Sequence, residues 1–206
     1  MRLICLLLLI SVSSFCADFN ISFPHTIRVE GETFTRIHLD KGGATKYGIT
    51  ILTYTYWCNG KKITVVVCDK DGDGKITAKD LNRVTLEDVK PIYKINYWDV
   101  ALADQINNQA VAEMIVDFFI NSGASGRNIR LIQKLLNVKQ DGHFGPVTIK
   151  AINKQDPQKL FKKLYDFRIK FYTQIVKNNP SQRKFLKGWK NRLITLKTMY
   201  TNEKLL

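Results

Sequence analysis

The chain of 206 residues carries 32 Lys plus Arg against 18 Asp plus Glu, a formal charge of +14 at neutral pH. With 45 % apolar and 11 % aromatic residues it has the material for a packed core, which excludes a disordered tail or a low-complexity chain. The charge calls for a polyanionic partner, and composition leaves three: nucleic acid, an anionic membrane or an acidic cell-wall polymer.

Arg2 is the only charge before Asp18, and Leu3 to Val12 form an apolar run followed by Ser13, Ser14, Phe15, Cys16 and Ala17. A positive start, a short apolar run and small residues read as a secretory signal peptide over residues 1–17, with cleavage expected after Cys16 or Ala17. The run is too short to span a membrane, and no later segment is apolar enough to do so. A periplasmic or secreted location is therefore expected, which argues against nucleic acid as the partner. Of the four cysteines, Cys58 and Cys68 lie beyond this leader. In an oxidising compartment they are expected to form a disulfide that stabilises the fold by about 2–3 kcal/mol.

Phe19, Phe23 and Ile27 recur every four residues, which predicts a helix ending near Glu30, with Pro24 delaying its start or kinking it. Residues 31–48, rich in Gly and Thr, read as a loop or small hairpin, and Thr50 to Trp57 opens a second helix. Lys62 to Val67 has strand propensity. From Thr85 the pattern is helical. Thr85 and Asp88 form a capping-box start, and helices are expected at about 85–97, 108–121, 127–136, 146–154, 156–178 and 181–200. Within 156–178, Leu160, Leu164, Phe167, Phe171 and Ile175 make one apolar stripe, read as core. The Asn121–Gly126 stretch marks a break between helices, and the division adopted is an N-terminal lobe over 18–107 and a helical lobe over 108–206.

Two carboxyl groups stand out. Glu30 sits at the expected helix end, and Asp40 follows in a Gly-rich turn with Thr45 beyond it. Glycoside cleavage uses one carboxyl to protonate the leaving oxygen and a second to manage water or the cation. A helix-end Glu under a loop is readily desolvated, which raises its pKa toward acid duty, whereas an Asp in a polar turn stays ionised. Spacing alone is a weak signal, because acids ten residues apart are common on surfaces.

Asp69, Asp71, Asp73, Lys75 and Asp80 fall in a twelve-residue run with Gly74 at its sixth position and Ile76 at its eighth, the pattern of an EF-hand calcium loop. The aspartates offer carboxylate oxygens and Lys75 its backbone carbonyl, a hard-oxygen set suited to Ca²⁺. Asp80 stands where Glu is usual, and its shorter side chain weakens bidentate ligation. A structural Ca²⁺ is expected, beside the Cys58–Cys68 bridge, and no organic cofactor.

Glu30 and Gly31, followed by Asp40, Gly42, Gly43, Ala44, Thr45, Gly48, Ile49 and Thr50, resemble the signature of glycoside hydrolase family 108, bacterial and phage N-acetylmuramidases. Leu86 to Tyr93 and Tyr97, Trp98 and Asp99 are similar to the family's next block. Further on, Asp117 to Gly123, then Leu131, Gln133 and Leu135, then Asp141, Gly142, Phe144, Gly145, Pro146 and Thr148 resemble predicted peptidoglycan-binding modules. The resemblance implies a mainly α, lysozyme-like helical fold with a small β/loop active-site region and the calcium-type loop as an insertion. It implies Glu30 as catalytic acid, Asp40 and Thr45 positioning the attacking water, and Gly43, Tyr47 and Asn121 as contacts to the glycan.

Glu32 replaces the family's second Gly and Lys41 a Pro. A nearby Glu32 would raise one carboxyl pKa by like charge. The end of the chain, with Lys184, Lys187, Gly188, Trp189, Lys190 and Arg192, resembles the family's Gly-Trp-x-x-Arg ending. It reads as a solvated basic face with one core Trp, its charge turned toward an anionic wall. The function implied is hydrolysis of the β-1,4 bond between N-acetylmuramic acid and N-acetylglucosamine by an exported monomer acting on peptidoglycan glycan strands. The other readings are a non-catalytic peptidoglycan-binding envelope protein, a lytic transglycosylase and, last, a basic nucleic-acid binder.

Overall fold

A computed structural model describes residues 16–36, 43–60 and 68–204. The signal-peptide run up to residue 15, the Asp40 turn and the strand expected at Lys62–Val67 lie outside the described residues.

Helix α1 spans Phe19–Glu30 and starts where the Asp18 carboxylate accepts from the Asn20 N–H. It begins before Pro24 rather than after it and runs through that residue. The lost backbone bond is offset by burial of Phe19, Phe23 and Ile27 on one face. Ala17 is also buried and its N–H donates to Ile106 O, so the packed chain is engaged one residue before 18.

Three short antiparallel strands follow: β1 (Thr35–Arg36), β2 (Ala44–Lys46) and β3 (Ile49–Thr50), in the order β1-β2-β3. Thr45 pairs with Thr35 on one side and Thr50 on the other. Tyr47 and Gly48 make the two-residue turn between β2 and β3 with φ of 48° and 74°, the left-handed pair a tight hairpin requires. Thr50 then caps helix α2 (Ile51–Asn59). Cys58 and Cys68 are bonded, with Cα atoms 5.9 Å apart.

Helix α3 (Ala78–Arg83), which the sequence reading did not contain, leaves the acidic loop from a capping box made by Thr77 and Asp80. Helix α4 (Leu86–Tyr93) starts from the Thr85–Asp88 box and continues into a π-helical turn over Lys94–Trp98. The remaining helices are α5 (Gln109–Ser122), α6 (Gly126–Leu136), α7 (Pro146–Asn153), α8 (Pro157–Asn178) and α9 (Arg183–Asn202). Asn108, Ser125 and Asp156 cap α5, α6 and α8, and proline opens α7 and α8. The fold is mainly helical with one small sheet.

Helix α5 is the axis of the core. Every residue from Ala110 to Phe119 is buried, and the helix packs on the π turn and on α8, where Phe118 meets Phe167 and Phe171 edge-on at 5.4 and 5.2 Å. One apolar cluster runs from Ala17 to Tyr200, so both expected lobes share it. His25 of α1 bridges Glu113 of α5 (2.9 Å) and Glu203 after α9 (2.8 Å), which fixes the angle at which α1 delivers its last turn. Among the described residues no helix is long and apolar enough to cross a membrane.

Candidate active site

Glu30 is the last residue of α1, and its side chain is only 16 % exposed. A buried carboxylate needs a partner, and here the partner comes from the far end of the chain. Arg192 Nη2 of α9 lies 2.6 Å from Glu30 Oε1 and 2.5 Å from Asp117 Oδ1, while its Nε donates to both Asp117 oxygens at 3.0 and 3.1 Å. Arg168 of α8 reaches Asp117 Oδ2 at 2.7 Å from the other side and donates to Tyr172 Oη. The Tyr172 hydroxyl in turn donates to Asn121 Oδ1 at 2.8 Å. Glu30, Arg192, Asp117 and Arg168 thus form one chain of alternating charge.

Burial pushes the Glu30 carboxyl upward, the charge and hydrogen bond of Arg192 pull it down, and the like charge of Asp117 pushes it up again. The net is a carboxyl raised above the ordinary glutamate value. Asp117 shifts the other way: burial raises it, but two guanidinium groups outweigh burial and hold it low. Two carboxyls in one network are therefore biased in opposite directions, Glu30 toward keeping its proton and Asp117 toward the ionised form. The like charge that Glu30 feels is that of Asp117; Glu32 is exposed and contributes nothing to the shift.

The sheet closes the site from below. A Cβ on Gly48 would stand 2.5 Å from Tyr93 Oη and 2.7 Å from Glu30 Oε2, so the β2–β3 turn fits against Glu30 only because residue 48 has no side chain. Tyr93 Oη donates to Tyr47 O at 2.7 Å, tying the turn to α4. Burial, and then the charge of Glu30, raise both the Tyr93 and Tyr97 hydroxyls, so both phenols stay neutral. Gly48→Ala combines an unfavourable φ with these contacts. It is expected to cost about 1–3 kcal/mol in thermal unfolding and at least tenfold in activity, and wild-type activity would show that the turn does not seat Glu30.

The expected site residues divide. Thr45 lies on the central strand, Tyr47 in the turn whose Gly48 abuts Glu30, and Gly43 just before β2; Tyr47 contributes its carbonyl to Tyr93, and Gly43 faces Ile51. Asn121 enters the network through Tyr172. Asp40 lies outside the described residues. Lys184, Lys187 and Lys190 of α9 are exposed as expected, but Arg192 is not a solvated wall-facing charge: its side chain is 12 % exposed between two carboxylates. On α8 the most buried line is Leu160, Leu164, Arg168, Tyr172 and Val176, while Phe167, Phe171 and Ile175 are half-buried. A signal for this existed in the sequence. Glu113 and Asp117 are the only charged residues of α5, set in its apolar stretch from Ala110 to Ile120, and buried acids at i and i+4 require cationic partners.

In the acidic loop Asp69, Asp71 and Asp73 bring one carboxylate oxygen each within 4.8 Å of one another. Asp80, expected as the last ligand, does not join them. It is buried, and its two oxygens accept from Lys70, Asp71 and Thr77, the last as the α3 cap. Burial raises its carboxyl but these hydrogen bonds lower it further, so it stays ionised as a loop staple.

A cavity of about 630 Å³ between α8 and α9, lined by Tyr165, Lys162 and Lys197 among others, shares no residue with the Glu30 network and has only Asp166, already paired to Lys162, as a carboxyl.

Residues 23–123 match the family Glycosyl hydrolase 108, so this match includes α5 and runs past the division expected at 107/108. Residues 127–194 match the Predicted Peptidoglycan domain. Among solved structures the chain is similar to that titled as Brucella abortus SagA, at 27 % identity and a TM-score of 0.69, over 89 % of this chain and 94 % of that one. Among curated proteins none matches the chain.

Proposed function

We propose, for a chain that carries a glycosyl hydrolase 108 domain followed by a predicted peptidoglycan domain, that it is an exported muramidase. It hydrolyses the β-1,4 bond between N-acetylmuramic acid and N-acetylglucosamine through a lysozyme-type mechanism. The observation that carries this reading is the state of Glu30: a buried carboxyl, raised in pKa, with a guanidinium on one oxygen.

A general acid must hold its proton until the glycosidic oxygen takes it, and must then be stable as an anion. Burial provides the first condition. Arg192 provides the second, because the carboxylate left after transfer stays hydrogen-bonded to a cation. With Oε1 held by Arg192, Oε2 carries the proton to the leaving oxygen. Asp40 and Thr45 are assigned to orient the water that attacks the sugar on its opposite face, which gives inversion at the anomeric carbon.

Digestion of purified walls followed by mass spectrometry tests the reaction. Muropeptides ending in reducing muramic acid are expected. Anhydro ends would replace this reading with a lytic transglycosylase, and absence of soluble products with a binding protein.

We also propose that Asp69, Asp71, Asp73 and the Lys75 carbonyl hold a structural Ca²⁺, with Asp80 shaping the loop rather than ligating. The hard, all-oxygen donor set supports this. At a hundredfold excess over the dissociation constant, Ca²⁺ is expected to add about 2.7 kcal/mol, or roughly 5–10 °C in Tm. Asp73→Ala should abolish the response; an unresponsive wild type would exclude the ion.

A further inference from the structure

Helix α4 does not stop at Tyr93. Lys94–Trp98 continues it as a π-helical turn, in which the Asp99 N–H donates to Lys94 O at 2.8 Å. A turn of this kind inserts one residue into a helix and re-aims the side chains that follow, and it recurs at functional sites. Here it is fixed at both ends. Lys94 is held by Asp99 and Asp104, and the buried Trp98 donates from Nε1 to Asp104 Oδ1 at 2.5 Å. Between these anchors stands Tyr97.

Tyr93 and Tyr97 are neighbours, with ring centroids 6.0 Å apart at 37°. Tyr93 lies against the acid: its hydroxyl and Glu30 Oε2 both border the space that a Cβ on Gly48 would take. Glu30 is also the charge that acts on the Tyr97 hydroxyl, so both phenols adjoin the same carboxyl. Their duties differ. The Tyr93 side chain is buried and its hydroxyl is spent on Tyr47 O. Tyr97 is half-buried, and among the described residues its hydroxyl has no hydrogen-bond partner. It is not one of the enclosed polar atoms left without a partner, so it is open to water. A neutral phenol held by a rigid turn beside a buried acid thus has a free donor, and its hydroxyl does no work in the fold.

We infer that Tyr97 is a substrate-contacting residue of the Glu30 site: its hydroxyl donates to a hydroxyl or acetamido oxygen of a sugar at the scissile bond, and so holds that bond against the acid. This rests on the reading of Glu30 as the acid. The contact acts by orientation, because a sugar fixed beside the proton donor needs less rearrangement to reach transfer geometry. It does not set the ionisation of Glu30, which answers to burial, Arg192 and Asp117.

Cleavage of soluble glycan strands, followed by chromatography of the products, tests this in wild type, Tyr97→Phe, Tyr93→Phe and Glu30→Gln. Thermal melts accompany all four, and pH profiles the first two. Tyr97→Phe keeps the ring and removes one oxygen that bonds to no protein group. It is expected to lower kcat/KM about 5–20-fold, with an unchanged Tm and an unmoved alkaline limb. Tyr93→Phe breaks the bond to Tyr47 O and is expected to lower Tm together with activity, the signature of a structural hydroxyl. Wild-type kcat/KM in Tyr97→Phe would overturn the inference. A lowered Tm in that variant would make its hydroxyl structural, and a displaced alkaline limb would make it a group acting through Glu30; either result also overturns it. If Tyr97→Phe loses turnover with its Tm intact while Glu30→Gln cleaves normally, the acid reading fails and the contact stands. A wild type that cleaves no strand overturns both.

Discussion

Glu30→Gln is expected to lower wall-clearing activity by roughly 10²–10⁴-fold without lowering thermal stability at neutral pH. Both halves follow from one fact, that burial and the like charge of Asp117 together raise the carboxyl more than Arg192 lowers it. A group with a raised folded pKa contributes stability that is fully present below its ordinary value, here 4.5, and is lost as pH rises through the folded value. At pH 7 an ionised Glu30 is therefore a net cost to the fold. Gln keeps the volume of the protonated acid, can still accept from Arg192, and removes that cost. Arg192 meanwhile keeps its two-nitrogen contact with Asp117. The same direction places the alkaline limb of the wild-type activity profile above the ordinary glutamate range, where Glu30 loses its proton. Turbidity clearing and thermal melts on the two proteins check this together. Comparable clearing would remove Glu30 from the chemistry, and a lower Tm would show that its charge supports the fold.

Asp117→Ala is expected to produce the largest loss of stability, about 3–5 kcal/mol, which in a chain of this size is roughly 6–20 °C in Tm. Asp117 is the shared counter-ion of Arg168 and Arg192, whose side chains are 1 % and 12 % exposed. Removing it leaves two buried cations facing each other, the costly half of a broken buried pair. The effect has a pH signature. Asp117 is held below the ordinary aspartate value, so its contribution is present above about pH 4 and is lost as pH falls through the folded value. The difference in Tm between wild type and variant should therefore be full at neutral pH and shrink on acidification; a difference independent of pH would assign the loss to packing instead. Activity should fall as well, since Arg192 would no longer be held in place against Glu30.

Much of the local architecture is legible along the chain. Helix starts announce themselves as Asp18, Thr50, Thr85, Ser125 and Asp156, each with a side chain that satisfies an N–H of the first turn, and the helices lie within a few residues of where periodicity sets them. The Cys58–Cys68 pairing and the small hairpin around Tyr47 are of the same kind. Such features depend on neighbours a few residues apart, so the sequence is enough to determine them. Where that reading went astray, a residue had two local roles to choose from. Asp80 fits both a ligand position and a cap, and in the fold its oxygens go to backbone and hydroxyl donors.

The environment of Glu30 is another matter. Its cation lies 162 residues away, and that cation's second carboxylate 75 residues from it. Periodicity on α8 placed Arg168 outside the apolar stripe, and a basic C-terminal helix looked solvated. Only the packing of α8 and α9 against α5 turned both guanidinium groups inward. Residue type determined that Glu30 was a candidate acid. Its raised pKa and its partner depend on which distant charges share its low-dielectric surroundings, and that is decided when the helices pack.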